Sequence, residues 1–302
     1  MASAMRSEQS YSIDLPPNFR VHDVLAFHAR DAMQVAERVS ESSLEKGVSW
    51  NGQAARLQIA FEPGRAKIDL SVDGAAASRP DAEATLIGTV RRMLGLAQPI
   101  ELFEETYGAH PQLGPLLARQ SGLRVPLAAS PFEALSWAVC GQQISLAAAI
   151  SIRRNLIRLA GPRHSSGLAC FPDAGQIVNL SEQDLRRAGF SLAKARTLLA
   201  LSREVADGRL PLDAWMTSLP VEEIRARCLQ VRGIGPWTVD YALLRGYGWL
   251  DGSLHGDAGV RRKLRSLLGS AEKLSQDETK LWLAEFSPWR ALVAVHLWTM
   301  PA

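Results

Sequence analysis

Apolar alternation, the mark of half-buried strands, ends near residue 100 and does not return. Before that point Tyr11–Leu15, Arg56–Phe61 and Ala66–Val72 alternate at a period of two, and Glu62-Pro63-Gly64-Arg65 reads as the turn between the last two. Val21–Arg38 and Pro80–Leu96 instead carry apolar residues at helical spacing. Beyond Ile100 helical patterns follow one another with short Gly, Pro or Ser breaks. They cover Leu102–Tyr107, Leu113–Arg119, Pro131–Cys140, Leu146–Leu159, Ser181–Ala188, Ser191–Asp207 and Leu212–Trp215, then Val221–Gln230, Pro236–Tyr247, Ala258–Leu268, Ser275–Phe286 and Ser287–Thr299. The order predicts an α+β domain over residues 11–100 and an all-α region over residues 101–302, preceded by a disordered segment, residues 1–10.

The 302 residues can bury one large core or a few smaller ones, and 47% hydrophobic with 22% charged residues is ordinary for a soluble globular protein. A net charge of +3 excludes a strongly basic tail but leaves room for a local basic face. Cys140, Cys170 and Cys228 are too widely spaced for a CxxC pair, a zinc pattern or a disulfide framework. The opening residues, MASAMRSEQS, hold no apolar signal core, and no later segment runs 18 residues without a polar break. These features predict a cytoplasmic, reduced protein with no membrane partner.

Within the helical region one stretch carries chemistry. Gly233-Ile234-Gly235 breaks two apolar-periodic segments, and its glycines give the backbone access to positive φ and close ligand approach. Amides at the mouth of the following helix form a seat for a phosphate. Twenty residues after Trp237, a lone carboxylate, Asp257, precedes the helical run AGVRRKL. Taken alone, Asp257 is also a plausible helix N-cap. A phosphate seat, an aromatic and one carboxylate suggest chemistry on a nucleic acid.

Val231-Arg232-Gly233-Ile234-Gly235-Pro236-Trp237-Thr238 resembles the hairpin of the helix-hairpin-helix DNA glycosylases, and Gly256-Asp257 their Gly/Pro-rich loop and catalytic aspartate. The nearest resemblance is to the alkylpurine branch, the DNA-3-methyladenine glycosylase II family. It implies an N-terminal domain like half of the TATA-binding protein, then two helical lobes around a cleft crossed by the hairpin. The break Gly141-Gln142-Gln143-Ile144-Ser145 resembles the loop that fills the space left by a flipped base, with Gln143 as wedge and Gln142 beside it. The best-known member of the branch has an apolar residue at the wedge. Trp298 stands where this branch stacks an aromatic on the base. The run Val24-Leu25-Ala26-Phe27-His28-Ala29-Arg30 resembles a stretch whose aromatic reaches the base pocket; on the residues alone, Phe27 belongs to the packed core. His296 reads as a packed histidine rather than a catalyst.

The resemblance implies a glycosylase acting on damaged double-stranded DNA as a monomer in the nucleoid. The amides of Gly233, Ile234 and Gly235, with Thr238, would meet DNA. Carbonyls of Leu229, Val231 and Ile234 would hold a monovalent cation, while no cofactor is required and no iron–sulfur cluster is expected. Trp237 and Tyr241, four apart on one helix, would join Trp298 in an electron-rich base pocket, where a cationic base gains ~0.5–2 kcal/mol per cation–π contact. Asp257 would stabilise the oxocarbenium-like sugar and orient water. Members that also cut the strand place a lysine where Trp237 stands, so the expected product is an abasic site. The rival readings are a non-catalytic lesion-binding protein and a glycosylase for oxidised or mismatched bases.

Overall fold

The structure, a computed structural model, describes residues 6–74 and 81–301. The chain opens with β1 (Arg6–Asp14), α1 (Val21–His28), β2 (Glu37–Val39), β3 (Ser43–Trp50), β4 (Gln53–Glu62), β5 (Arg65–Asp73) and α2 (Ala82–Met93). The strands form one antiparallel sheet in the order β1-β5-β4-β3-β2. Val24 and Leu25 of α1 and Leu86, Val90 and Met93 of α2 pack on Leu44, Leu57, Ile59, Ile68 and Leu70 of the sheet. The α+β reading stands, with three corrections. Residues 6–10, expected to be disordered, pair with β5; residues 1–5 lie outside the described residues. The helix read over Val21–Arg38 stops at His28, and β2 and β3 are additional strands. The helix read from Pro80 begins at Ala82, Pro80 itself lying outside the described residues.

Helices then follow as α3 (Ile100–Tyr107), α4 (Gly114–Arg119), α5 (Pro131–Gly141), α6 (Leu146–Ala160), α7 (Ala174–Ile177), α8 (Glu182–Arg187), α9 (Leu192–Ala206) and α10 (Trp215–Ser218). After these come α11 (Val221–Gln230), α12 (Pro236–Ala242), a π-helical turn (Leu243–Tyr247), α13 (Ala258–Leu267), α14 (Gln276–Ala284) and α15 (Arg290–Trp298). Ser130, Ser145, Ser181, Ser191 and Ser275 start α5, α6, α8, α9 and α14 by accepting a hydrogen bond from the third helical amide. No helix among the described residues is long and apolar enough to cross a membrane.

Two helical cores result. One joins Leu135 and Val139 of α5 to Leu156, Leu198, Leu201 and Ile224; the other joins Phe103, Leu116, Val260, Leu264, Leu283 and Leu292. Helix α12 feeds both, Val239 into the first and Tyr241 into the second. The hairpin between α11 and α12 therefore sits where the lobes meet.

The sheet domain is keyed to the helices by a buried ion cluster. Lys46 on β3, 1% exposed, donates to Glu37 at 2.6 Å and to Glu133 of α5 at 2.8 Å. Arg153 of α6 grips both Glu37 oxygens, at 2.9 and 3.0 Å, and reaches Glu133 at 2.7 Å. Beside it the backbone of Gly47 lies so close to Ala169 that an added Cβ would stand 2.2 Å from the Ala169 carbonyl oxygen.

His296 sits wholly buried in the second core, with Nδ1 2.7 Å from Gln120 Oε1. Burial, with the nearby charge of Arg20, pushes its pKa down to about 3. Because the folded value lies below the unfolded 6.5, its stabilisation is complete above pH 6.5 and is lost as pH falls towards 3. Within that window the unfolded chain binds a proton that the folded chain refuses, a slope of about 1.4 kcal/mol per pH unit. Urea unfolding of His296→Leu at pH 6.5 and 4.5 should show a loss on acidification smaller than that of the unaltered protein; equal losses would refute the assignment.

Candidate active site

The cleft between the lobes encloses about 1190 Å³ and is walled by the loop after α5, the hairpin, α12, the start of α13 and the end of α15. Of the hairpin glycines only Gly233 has positive φ, +92°, and an added Cβ there would stand 2.0 Å from Thr197 Oγ1. Gly235 instead caps α12 in an extended conformation, φ −108°, with open space where a Cβ would project. The two glycines thus divide the roles: Gly233 makes the turn at positive φ, and Gly235 leaves the approach clear. The Ile234 amide is spent inside the turn on Val231 O at 3.0 Å. Among the described residues nothing accepts from the amides of Gly233 and Gly235.

Gln142 is a brace for this hairpin. Its Nε2 donates to Gly233 O at 2.9 Å and to Thr238 Oγ1 at 3.0 Å. Thr238, expected among the DNA contacts, lines the cleft but is buried, and its hydroxyl oxygen accepts from Gln142. Gln143 is exposed at the apex of the loop with φ +53°, a strained left-handed conformation for a side-chain-bearing residue. Exposed Ile144 and Leu146 follow it along the lip.

Asp257 is the single acidic residue lining the cleft among the described residues. One oxygen, Oδ1, accepts from Trp298 Nε1 at 3.1 Å and from the Val260 amide at 2.9 Å, while Oδ2 accepts from Trp237 Nε1 at 3.1 Å. It is therefore both the N-cap of α13 and a carboxylate held in the cleft by two indoles. Gly259 leaves room for this arrangement, since an added Cβ would lie 3.0 Å from Asp257 Oδ1 and 3.6 Å from Trp298. The Trp237 and Tyr241 rings are 5.5 Å apart and those of Tyr241 and Trp298 6.2 Å, so the three form one aromatic wall. The other carboxylate of this region, Asp240, turns away from the cleft and pairs with Arg225; burial pushes its pKa up to about 6.

Phe27 does not belong to the packed core. Half-buried, it lines a small inner chamber of about 50 Å³, whose walls share Arg30, Trp137, Tyr241 and Arg245 with the cleft. The ring faces this chamber rather than the sheet core, and two guanidiniums, Arg30 at 4.5 Å and Arg245 at 4.7 Å, flank it. Trp137, Arg30, Arg245, Gly259 and Arg262 also line the cleft but escaped the sequence reading. One signal was available: Arg245 continues the four-residue spacing of Trp237 and Tyr241.

Of the hairpin carbonyls, that of Val231 already accepts from Ile234 N, whereas no described donor reaches those of Leu229 and Ile234. Among the described residues no cluster of three His, Cys, Asp or Glu is placed to hold a metal ion.

Residues 12–130 match the AlkA N-terminal domain, and residues 136–288 match the HhH-GPD superfamily base excision DNA repair protein model. A probable bifunctional transcriptional activator/DNA repair enzyme AlkA of Mycobacterium tuberculosis is 31% identical over 71% of this chain, which spans 42% of that relative's length. DNA-3-methyladenine glycosylase 2 of Escherichia coli is 25% identical over 95% of this chain and 96% of its own. The solved 3-methyladenine DNA-glycosylase of Archaeoglobus fulgidus shares the fold with a TM-score of 0.80 at 22% identity, covering 95% of this chain and 97% of that one. With more than half its length matched to one model, and a carboxylate and hairpin facing the same cleft, the chain belongs to the HhH-GPD superfamily of base excision DNA repair proteins.

Proposed function

We propose that the chain is a monofunctional DNA glycosylase that flips alkylated purines of the 3-methyladenine and 7-methylguanine type out of duplex DNA and hydrolyses their N-glycosidic bond. The observation that carries this reading is Asp257, a lone cleft carboxylate with each oxygen fixed by an indole N–H. Flipping costs roughly a few kcal/mol, less for a damaged base. The free amides of Gly233 and Gly235 suit a backbone phosphate, and Gln143 at the loop apex suits the vacated stack. The aromatic wall of Trp237, Tyr241 and Trp298 receives the base. As the base leaves, Asp257 stabilises the cationic sugar and orients the attacking water. One lesion needs one such cleft, so the protein acts as a monomer. The uncommitted carbonyls of Leu229 and Ile234, with Val231, suit a monovalent cation, which would supply only structural support to the hairpin; DNA affinity should then fall in buffers whose sole cation is tetramethylammonium.

Incubation with methylated duplex DNA, followed by chromatography, should show free 3-methyladenine; tight binding without release would favour the lesion-binding reading instead. Among the described residues no lysine lines the cleft, so borohydride should trap no covalent protein–DNA adduct during turnover. A trapped adduct would mean that the enzyme also attacks the sugar through an amine.

A further inference from the structure

Among the described residues Arg245 is a buried cation without a paired anion. It is 5% exposed, donates through Nη1 to Pro126 O at 2.8 Å, and leaves its buried Nε with no partner. Its guanidinium lies 4.7 Å from the Phe27 ring and 5.8 Å from the Trp298 ring, and it lines both the cleft and the inner chamber. Among the described residues no carboxylate pairs with it, or with Arg30 across the Phe27 ring. The contrast with Arg153, which holds two carboxylates nearby, is sharp. Burial lowers the Arg245 pKa to about 10, so it remains charged at neutral pH. An uncompensated buried charge is costly to the fold. The aromatic wall favours a cationic base, whereas a like charge behind that wall opposes one.

The chemistry of the leaving group resolves this conflict. When the C1′–N9 bond breaks, its electron pair departs with the base. An N-alkylated purine that starts with a positive charge leaves neutral and needs no help. A neutral purine leaves as an anion, takes its proton from solvent afterwards, and C1′ receives hydroxide from the attacking water. We propose that Arg245 is a specificity-determining residue that stabilises negative charge on a departing neutral purine, accepting in exchange a weaker hold on cationic lesions. The purines it suits carry a carbonyl at position six, which a guanidinium can meet, as deamination produces. This role rests on the glycosylase reading above and adds to it the sorting of lesions by charge.

The test is single-turnover release of hypoxanthine and of 3-methyladenine, a cationic lesion with an amino group in place of the six-carbonyl, from duplex DNA by the unaltered protein, Arg245→Met and Arg245→Lys. The ratio of the hypoxanthine rate to the 3-methyladenine rate should fall by about 100-fold in Arg245→Met, the worth of one preorganised donor, and recover in part in Arg245→Lys. Loss of Pro126 bonding or of packing would depress both rates together and leave the ratio unmoved, and that result overturns the proposal. Release of 3-methyladenine but no hypoxanthine by the unaltered protein overturns it too while leaving the alkylpurine reading intact; release of neither overturns both. A second arm needs no variant: free hypoxanthine should inhibit the unaltered protein about tenfold more strongly than free adenine, the difference one charge-assisted hydrogen bond makes. Equal inhibition by the two bases refutes the proposal even if Arg245→Met does not fold.

Discussion

Asp257→Asn should release 3-methyladenine from methylated duplex DNA at least about 100-fold more slowly than the unaltered protein, with melting temperature and DNA affinity preserved. The magnitude is that of one preorganised electrostatic group facing charge that develops in the transition state, about 3–4 kcal/mol. Asparagine isolates this effect because it caps helices as well as aspartate does, so its Oδ1 can still accept from Val260 N and Trp298 Nε1. What disappears is the negative charge and the second acceptor, which now serves Trp237. Asp257→Ala would mix the loss of charge with the loss of a cap, about 1 kcal/mol. Single-turnover kinetics alongside thermal melting and a DNA-binding isotherm separate the contributions. Undiminished release by Asp257→Asn would move the reaction away from this carboxylate.

The parts of this site that local pattern encodes are legible in the sequence. Gly233 makes a turn that only glycine fits, Trp237 and Tyr241 repeat at helical spacing, and Asp257 stands at a helix start. What pairing across the fold encodes is not legible there. Strand β3 hides because its inward position 46 is a lysine, whose charge breaks the apolar alternation, and because position 47 is a glycine packed on Ala169. Asn51-Gly52 offers a better signal than alternation: both residues have positive φ, 49° and 77°, in the two-residue turn joining β3 to β4. Phe27 is misread as core because its neighbours come from Arg30 and Arg245, one of them more than two hundred residues away in the chain. The double use of Asp257, as cap and as cleft carboxylate, needs the indoles of two distant helices in place. Helix α12 shows its aromatic stripe but not its end, since the chain passes into a π turn over Leu243–Tyr247.

Lys46→Met should destabilise the protein by about 3 kcal/mol or more, the usual consequence of removing one member of a buried ion pair. The loss should be larger than for any surface ion pair here, because Lys46 and both its partners are almost wholly buried. Without Lys46 the single Arg153 guanidinium is left to two carboxylates, and Glu133, which it meets with one bond against two for Glu37, is the poorer compensated. Burial alone would push both carboxyls up; the charges of Arg153 and Lys46 outweigh it and hold Glu37 well below, and Glu133 below, the usual 4.5. Folded values below the unfolded one mean that this stabilisation is present above pH 4.5 and lost as pH falls through the depressed values. Adding Glu133→Gln to Lys46→Met removes the stranded charge while keeping an acceptor for the Ala129 amide. The double variant should therefore be more stable than Lys46→Met alone, a coupling that chemical denaturation reads directly. If the two losses simply add, the cluster is not an ionic key between sheet and helices. The consequence reaches the active site, since α5 carries Glu133 at one end and the Gln142–Gln143 loop at the other. A loosened cluster should thus lower base release in proportion to the loss of folded protein and then beyond it, as the loop loses its anchor.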